Sequence, residues 1–470
     1  MGLKLKLIQE QFYLLLLLSL TVILVMAGES MLTAALVEIE HEFSVPGIYE
    51  SWVLPVVLLV GAVAAPFVGT AGDRYGHKKL LLICLAIYLT GLLVGYHTPD
   101  IWILLFSRAL QGAGIAAFPL AYAIIREQMT KPSADIGIGV ISAMYGAGTF
   151  LGVIIGSWIT GLFSWRLTYL FLIPLTGILL VLIFFYIKDT RSDYPGGSLD
   201  YAGFSSLLIF LFLVLSLFSL PEDERYSLNA VGLCVLSVIF LWTFIRIEKK
   251  ARYPLADIRL LHKRPVIVLM VIGFLCMFSF FLLLQMMPYV IRLPTGLFLS
   301  AEIVGLVIVP GTLCDMIAGP LTGRMVPLIG CRIPCIVGSL MLAVSGVMLF
   351  ILPLSVLVLV LAWMIFSFGM SVIATADLIG VLEHAGEEQT AQATGIIQSM
   401  QTLGGVAGPV ITGLILASSQ ISTQIDSEEW IIPTTDVYYL VFFVVIVISL
   451  LLLGVSWFFI EEKKHTEGDL

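Results

Sequence analysis

Charge is what this sequence has least of. Of its 470 residues only 12% are Asp, Glu, Lys or Arg, where a soluble domain carries about 25%. The shortage excludes a water-soluble globular domain. Bases interleaved with aromatics are also missing, which excludes a nucleic-acid surface and a nucleic-acid partner. Cysteine is scarce: Cys84, Cys234, Cys276, Cys314, Cys331 and Cys335 mostly fall inside apolar runs, where the thiol behaves as a small hydrophobe. Cys331 and Cys335 share a helix face by spacing, but no His or further Cys stands near to complete a metal site. The chain has no His-Glu-x-x-His, no Gly-x-Ser-Gly and no phosphate-cradling Gly-x-x-x-x-Gly-Lys. An enzyme, a metal centre, a cofactor and ATP-driven chemistry are all unexpected.

What remains is apolar. Hydrophobic residues make up 59% of the chain, and the mean hydropathy is +1.06. Many runs exceed the roughly 20 residues that cross a bilayer as helix. Continuous stretches such as 207–220 exclude a transmembrane barrel, which needs alternation. Fourteen spans are expected, at about 12–37, 49–70, 78–97, 100–127, 136–162, 166–187, 200–220, 228–247, 265–291, 299–325, 331–351, 354–382, 391–418 and 436–460. The first is too long for a signal core and reads as a retained span. With the N-terminus inside, twenty Lys and Arg fall in inner loops and only Arg166, Arg225 and Arg292 in outer ones, as the positive-inside rule requires. The expected location is the cell membrane, with both termini cytoplasmic.

One polar knot stands between the second and third spans: Gly69-Thr70-Ala71-Gly72-Asp73-Arg74-Tyr75-Gly76-His77-Lys78-Lys79. It repeats in the second half, with Gly69 matching Gly323, Gly76 matching Gly330 and Lys78 matching Arg332, but with Pro327 and Leu328 facing Asp73 and Arg74. Gly148 and Gly152 in span 5 likewise match Gly404 and Gly408 in span 13. The repeat divides the chain into a six-helix bundle over 1–190, an inserted two-helix hairpin with a basic linker over 191–264, and a second six-helix bundle over 265–470. Parallel six-helix repeats are a transporter architecture with the substrate at the repeat interface.

At these residues the chain resembles the major facilitator superfamily, and its length and span count resemble the fourteen-helix drug:proton antiporter group. The resemblance covers nearly the whole chain. It rests on residues 69–79, on Arg108-Ala109-Leu110-Gln111-Gly112-Ala113-Gly114 in span 4, and on Trp165-Arg166 with Phe171 and Pro174. Two positions depart from it. The group's helix 5 signature carries Gly-Pro where this chain has Gly152-Val153, and an Asp often stands in the place of Gly28, with the acid here at Glu29. The resemblance implies alternating access by rocking of two bundles. It also implies a cytoplasmic gate, in which Asp73 meets the start of span 13 and Arg74 pairs with Glu127, with Gly69, Gly76 and Lys78 in the same device.

Charges inside apolar runs are functional candidates because they cost about 2.5–3.5 kcal/mol at the bilayer centre. Glu29 is either a proton carrier or a neutral acid bonded to a neighbouring helix. Arg108, by resemblance, acts on a span 1 carboxylate, for which Glu29 is the partner at hand; a purely structural pair is the other reading. Asp315 either recognises a cationic substrate, as in some relatives of the resembled group, or serves as a proton site or buried hydrogen bonder. Asp377 lines the inner entrance or is simply solvated. Gln285, Met286 and Met287 suit a promiscuous substrate cavity, or only core packing. The glycines of span 5 let helices approach closely. The expected function is proton-coupled efflux of amphipathic or cationic compounds. A proton-coupled carrier of a small metabolite or organic ion, or a non-transporting receptor or scaffold, are the alternatives. The expected partners are a small-molecule substrate, protons and lipid, with the chain acting as a monomer.

Overall fold

The computed structural model describes residues 2–43, 52–189, 201–218, 220, 227–249, 264–385, 390–425 and 428–459; some side chains within these ranges, that of Asp73 among them, lie outside the description. The chain is almost entirely helical. The first part holds α1 (Gly2–Ser30), a 3₁₀ turn (Met31–Ala35), α2 (Leu36–Phe43), α3 (Pro55–Tyr75), α4 (His77–Tyr96), α5 (Ile101–Ile115) and α6 (Ala117–Gln128). It continues with α7 (Lys131–Leu162), α8 (Arg166–Tyr186), α9 (Tyr201–Phe218) and α10 (Leu228–Glu248). The second part holds α11 (Arg264–Arg292), α12 (Ala301–Ile329), α13 (Arg332–Ile351), α14 (Val356–Ala385) and α15 (Thr390–Ala417). A hairpin of β1 (Gln420–Ile425) and β2 (Glu428–Pro433) precedes α16 (Thr435–Phe459).

Among the described residues eleven helical spans are long and apolar enough to cross a membrane, and three shorter apolar ones accompany them. Helix is the form that satisfies every backbone group without water, so apolar runs of this length have no other stable outcome. Two of the expected spans are broken. The first bends where the 3₁₀ turn separates α1 from α2, and the fourth breaks at Ala116, just past Gly112 and Gly114. Span 5 begins earlier than expected, at Lys131, because Pro132 opens the helix from its first turn instead of breaking it.

The chain forms two compact units, Met1–Leu255 and Ala256–Leu470. In the first, Leu18, Val22, Leu85, Leu104, Leu120, Ile124 and Ile183 are fully buried, while Trp102, Phe106, Ile178 and Phe184 face outward. An apolar rind over an apolar core is what a lipid solvent selects. Here α9 packs on α3, where the Phe67 ring lies 4.5 Å from Phe204 and 5.4 Å from Tyr201. The basic linker expected up to residue 264 lies mostly outside the described residues. In the second unit Leu282, Leu342, Phe366, Tyr438 and Phe442 form the interior.

Each unit contains a long glycine seam, and these two seams correspond. On α7 a Cβ at Gly148 would lie 2.7 Å from the Ile23 carbonyl, one at Gly152 2.4 Å from that of Ala27, and one at Gly156 2.2 Å from that of Met31. On α15 a Cβ at Gly404 would lie 2.1 Å from the Phe274 carbonyl and one at Gly408 2.5 Å from that of Phe278. One turn on, Thr412 donates to the Leu282 carbonyl at 2.9 Å. No side chain fits between these backbones, so the four-residue spacing is a packing requirement.

The β1–β2 hairpin is not among the sequence expectations. It pairs Ile421 with Ile432 and Thr423 with Trp430 in antiparallel register. Ile421, Thr423 and Ile425 alternate with polar residues, the period of a strand.

Candidate functional site

The first unit is held by a fully buried arginine. Arg108 lies on α5, and every nitrogen of its guanidinium donates a hydrogen bond. Nε reaches the Val53 carbonyl at 2.8 Å, Nη2 the Glu29 carbonyl at 2.9 Å, and Nη1 both the Gly28 carbonyl at 3.0 Å and Gln111 Oε1 at 2.9 Å. The arginine meets its expected partner through the backbone: it hydrogen-bonds the carbonyl of residue 29 and acts on the Glu29 carboxyl through charge. The reason is the 3₁₀ turn at Met31–Ala35. The last carbonyls of α1 lose their helical donors there, and a planar guanidinium is the side chain that can serve several at once. Glu29 itself is buried on α1, and Arg108 is the positive charge that acts on its carboxyl.

A polar relay completes this centre. Gln111 donates from Nε2 to Ser107 Oγ at 3.0 Å, and Ser107 donates to the Gly91 carbonyl at 2.9 Å. Buried Tyr169 faces Arg108, Gln111 and Ser107 from α8. Gly91 and Gly95 admit α5 onto α4: a Cβ at Gly95 would sit 2.6 Å from Ser107 Oγ. A Cβ at Gly28 would lie 2.0 Å from Tyr88 Oη. The phenol occupies the space that a side chain at position 28 would fill. Gln111, Tyr88 and Tyr169 are absent from the sequence expectations. Only Gln111 had a signal, standing three residues from Arg108 on the same helix face.

In the second unit Asp377, on α14, is fully buried and accepts a hydrogen bond from Gln401 of α15 at 3.4 Å. Its burial removes the reading of a simply solvated acid. Asp315 is half-buried on α12; its backbone carbonyl accepts from Ser371 at 3.0 Å and its carboxyl faces the same hydroxyl. The two acids flank Cys276 of α11, one on α14 and one on α12. Gln285 and Met286 are fully buried within α11, and both ends of the Gln285 amide lack a hydrogen-bond partner among the described residues. Nearer the start of α11, Ile267, Met270, Val271, Phe274 and Leu275 form with Met400 an apolar groove of about 450 Å³. Trp363 covers Gly311 and donates to the Ile308 carbonyl at 3.0 Å, holding α14 against α12.

The expected gate residues sit at the α3–α4 turn. Gly76 caps α3 with φ 97°, its N–H bonded to the Gly72 carbonyl at 2.8 Å. Glu127, at the end of α6, meets His77 Nδ1 at 2.7 Å. Arg74 is exposed and stacks on its neighbour Tyr75, so the expected Arg74–Glu127 pair is replaced by His77–Glu127. Helix geometry decides this. Arg74 still belongs to the last turn of α3, while His77 follows the turn and points back over Gly72, where a Cβ would lie 2.6 Å from its ring. Lys78 lies over the Phe184 ring and 3.4 Å from Asp189. Asp73 ends α3, but its side chain lies outside the described residues. A Cβ at Gly69 would meet nothing within 4 Å, nor would one at Gly323.

The second copy keeps this geometry. Gly330 caps α12 with φ 75°, bonded to the Val326 carbonyl at 2.8 Å. Arg332 lies over the Trp457 ring as Lys78 lies over Phe184.

The chain is similar to known transport proteins. The chain is 24% identical over 407 residues to the multidrug efflux pump LfrA of Mycolicibacterium smegmatis, an alignment covering 85% of this chain and 80% of that one. It is 27% identical over 320 residues to the efflux pump dotC of Dothistroma septosporum, covering 66% of this chain. The chain spans 54% of the length of dotC. The solved structure of a bacterial homolog to the human lysosomal transporter Spinster superposes with a TM-score of 0.70 at 14% identity, over 95% of this chain and 96% of that one. The sequence profile of the Major Facilitator Superfamily matches residues 18–409 and 297–469. A repeated cap, a repeated seam and a profile running nearly end to end place this chain in the Major Facilitator Superfamily.

Proposed function

We propose that this chain is a secondary active transporter that exports amphipathic, cationic compounds in exchange for protons by alternating access. The observation that carries the reading is the Arg108 centre. A permanent positive charge is locked onto the broken end of α1 beside a buried carboxyl, Glu29, within a helix seam that admits no side chain. Such a centre is costly in lipid and unnecessary for a scaffold. Glu29 carries the exchanged proton, and Arg108 positions α1 and biases that carboxyl. The names of the relatives, efflux pumps among them, support drug-like cargo. Asp315 is half-buried and serves as counter-charge for a cationic cargo. Gln285 and Met286 become cavity walls in another state of the cycle. The two six-helix bundles are α1–α8 and α11–α16, with α9–α10 as an inserted hairpin. Gly69, Asp73, Arg74, Gly76, Lys78 and Glu127 belong to a cytoplasmic gate in which His77 makes the ionic contact. The chain works as a monomer in the cell membrane, with both termini in the cytoplasm.

Reconstituted in proteoliposomes with a pH-sensitive dye inside, the protein should move protons when tetraphenylphosphonium or ethidium is added. Glu29→Gln should reduce that flux at least about tenfold, which is about 1.4 kcal/mol in the coupled step. Unchanged flux in the variant would remove Glu29 from the mechanism. No flux with any cargo would remove proton exchange.

A further inference from the structure

The mechanism above leaves one buried acid without a task. Asp377 is fully buried where α11, α13, α14 and α15 meet. Its Oδ2 accepts a single long hydrogen bond, 3.4 Å from Gln401 Nε2, and its Oδ1 has no partner among the described residues. Gly273 makes the site possible: a Cβ there would lie 2.5 Å from Oδ2 and 3.1 Å from Gln401 Cγ. Among the described residues the titratable groups around the carboxyl are Cys276 on α11 and Cys335 on α13, with Cys331, just before α13, next beyond Cys335 and Asp315 of α12 next beyond Cys276. None of these is a base. The Cys276 thiol is turned to the Met370 carbonyl at 3.7 Å. Among the described residues an ionised carboxylate here would find neither a counter-ion nor adequate hydrogen bonds, a state that proteins avoid.

We infer that Asp377 is a proton-binding site of the second unit, loaded when α11, α14 and α15 are packed as observed and emptied when Gln401 and Gly273 separate from it. The inference rests on the proton-exchange reading above and adds a second carboxyl to it. On loading, a proton from water bonds to a carboxylate oxygen and removes the negative charge. On release, that O–H bond breaks and the proton returns to water, leaving a carboxylate that water must reach. The route of access is set by α15. Met400, adjacent to Gln401, is one wall of the apolar groove along α11. A shift of α15 that widens the groove also uncovers the carboxyl. Cargo entering the groove and proton leaving Asp377 are then linked through one helix.

Infrared difference spectroscopy of the reconstituted full chain across pH steps tests the site without needing transport. The wild type should show the carbonyl band of a protonated, buried carboxylic acid. Asp377→Asn should lose that band and release one proton fewer when tetraphenylphosphonium is added. Gly273→Ala, which pushes a methyl group against Oδ2, and Gln401→Leu, which removes the only hydrogen-bond donor, should each shift the band. These two keep the test alive if Asp377→Asn does not fold. A band and proton count unchanged in Asp377→Asn, or a band unmoved in both other variants, would overturn the inference. If the wild type released no proton with the cargo, the exchange reading would fall, and the infrared band would still decide whether Asp377 holds a proton.

Discussion

A single side chain, Arg108, closes three carbonyls left open by the bend between α1 and α2 and by the segment before α3, and its fourth bond orients Gln111. Hydrogen bonds to a charged group contribute roughly 1.5–3 kcal/mol each. A lysine at this position presents one ammonium, a point donor that cannot reach Val53, Gly28 and Glu29 together. Arg108→Lys should therefore lose at least two of these bonds, roughly 3–6 kcal/mol in local terms. It should lower the thermal unfolding midpoint in detergent and cut export at least about tenfold, which is about 1.4 kcal/mol or more in the transport step. Unfolding and export indistinguishable from wild type would show that the carbonyls find other donors. The residue itself was legible, because an Arg inside an apolar run announces itself. Its contact with the backbone of residue 29 was not. Sequence gives the depth of a side chain along a helix but not what the neighbouring backbone leaves unpaired. The same gap explains why Asp377, shallow by counting residues, is fully buried.

Elements were more legible than contacts. Apolar runs marked every span, and Gly, Pro and charged breaks marked the turns. What composition could not show was a break within an apolar run, such as the 3₁₀ turn at Met31–Ala35, because no residue there disrupts hydropathy. The α1–α7 seam shows how such a break is used. Ser30, at the end of α1, has one hydroxyl proton that can go to the Met26 carbonyl of its own helix at 2.9 Å or to the Thr149 carbonyl across the seam at 3.1 Å. Thr149 stands four residues before Val153, so this carbonyl is the one that a proline at 153 would leave without its helical donor. Proline inside a helix costs about 3 kcal/mol or more, partly through that lost bond. With the Ser30 hydroxyl free to turn fully to Thr149 once the helical donor is gone, Val153→Pro should cost clearly less than that, while Ser30→Ala combined with Val153→Pro should restore the full cost. A double-mutant cycle on unfolding free energy reads the coupling directly. Additive effects would show that the Ser30 hydroxyl does not serve the carbonyl once the proline is present.

At the scale of the whole molecule, the two units share a turn but not its chemistry. Gly76 and Gly330 both take a left-handed φ as helix caps, and each is followed two residues later by a base over an aromatic ring. Backbone of this kind is nearly closed to residues with a Cβ, so the glycines persist in both copies, and the repeat was visible in sequence for that reason. Between cap and base the copies part. His77 meets Glu127 in the first. Cys331 stands in the corresponding place in the second and packs over Gly380, where a Cβ would lie 3.2 Å from its sulfur. One seat is ionic and the other apolar. The His77–Glu127 contact ties the α3–α4 turn to the end of α6. If the contact supports a state the cycle must visit, turnover falls when either partner is removed. His77→Ala and Glu127→Gln should each cut export at least about tenfold, which is about 1.4 kcal/mol in the transport step, and the double variant should be little worse than either single one. Cys331→Ser should leave export at the wild-type level. Initial rates of export from vesicles separate these cases. Unchanged export in both single variants would place the gate elsewhere, and the two seats would then differ in packing alone.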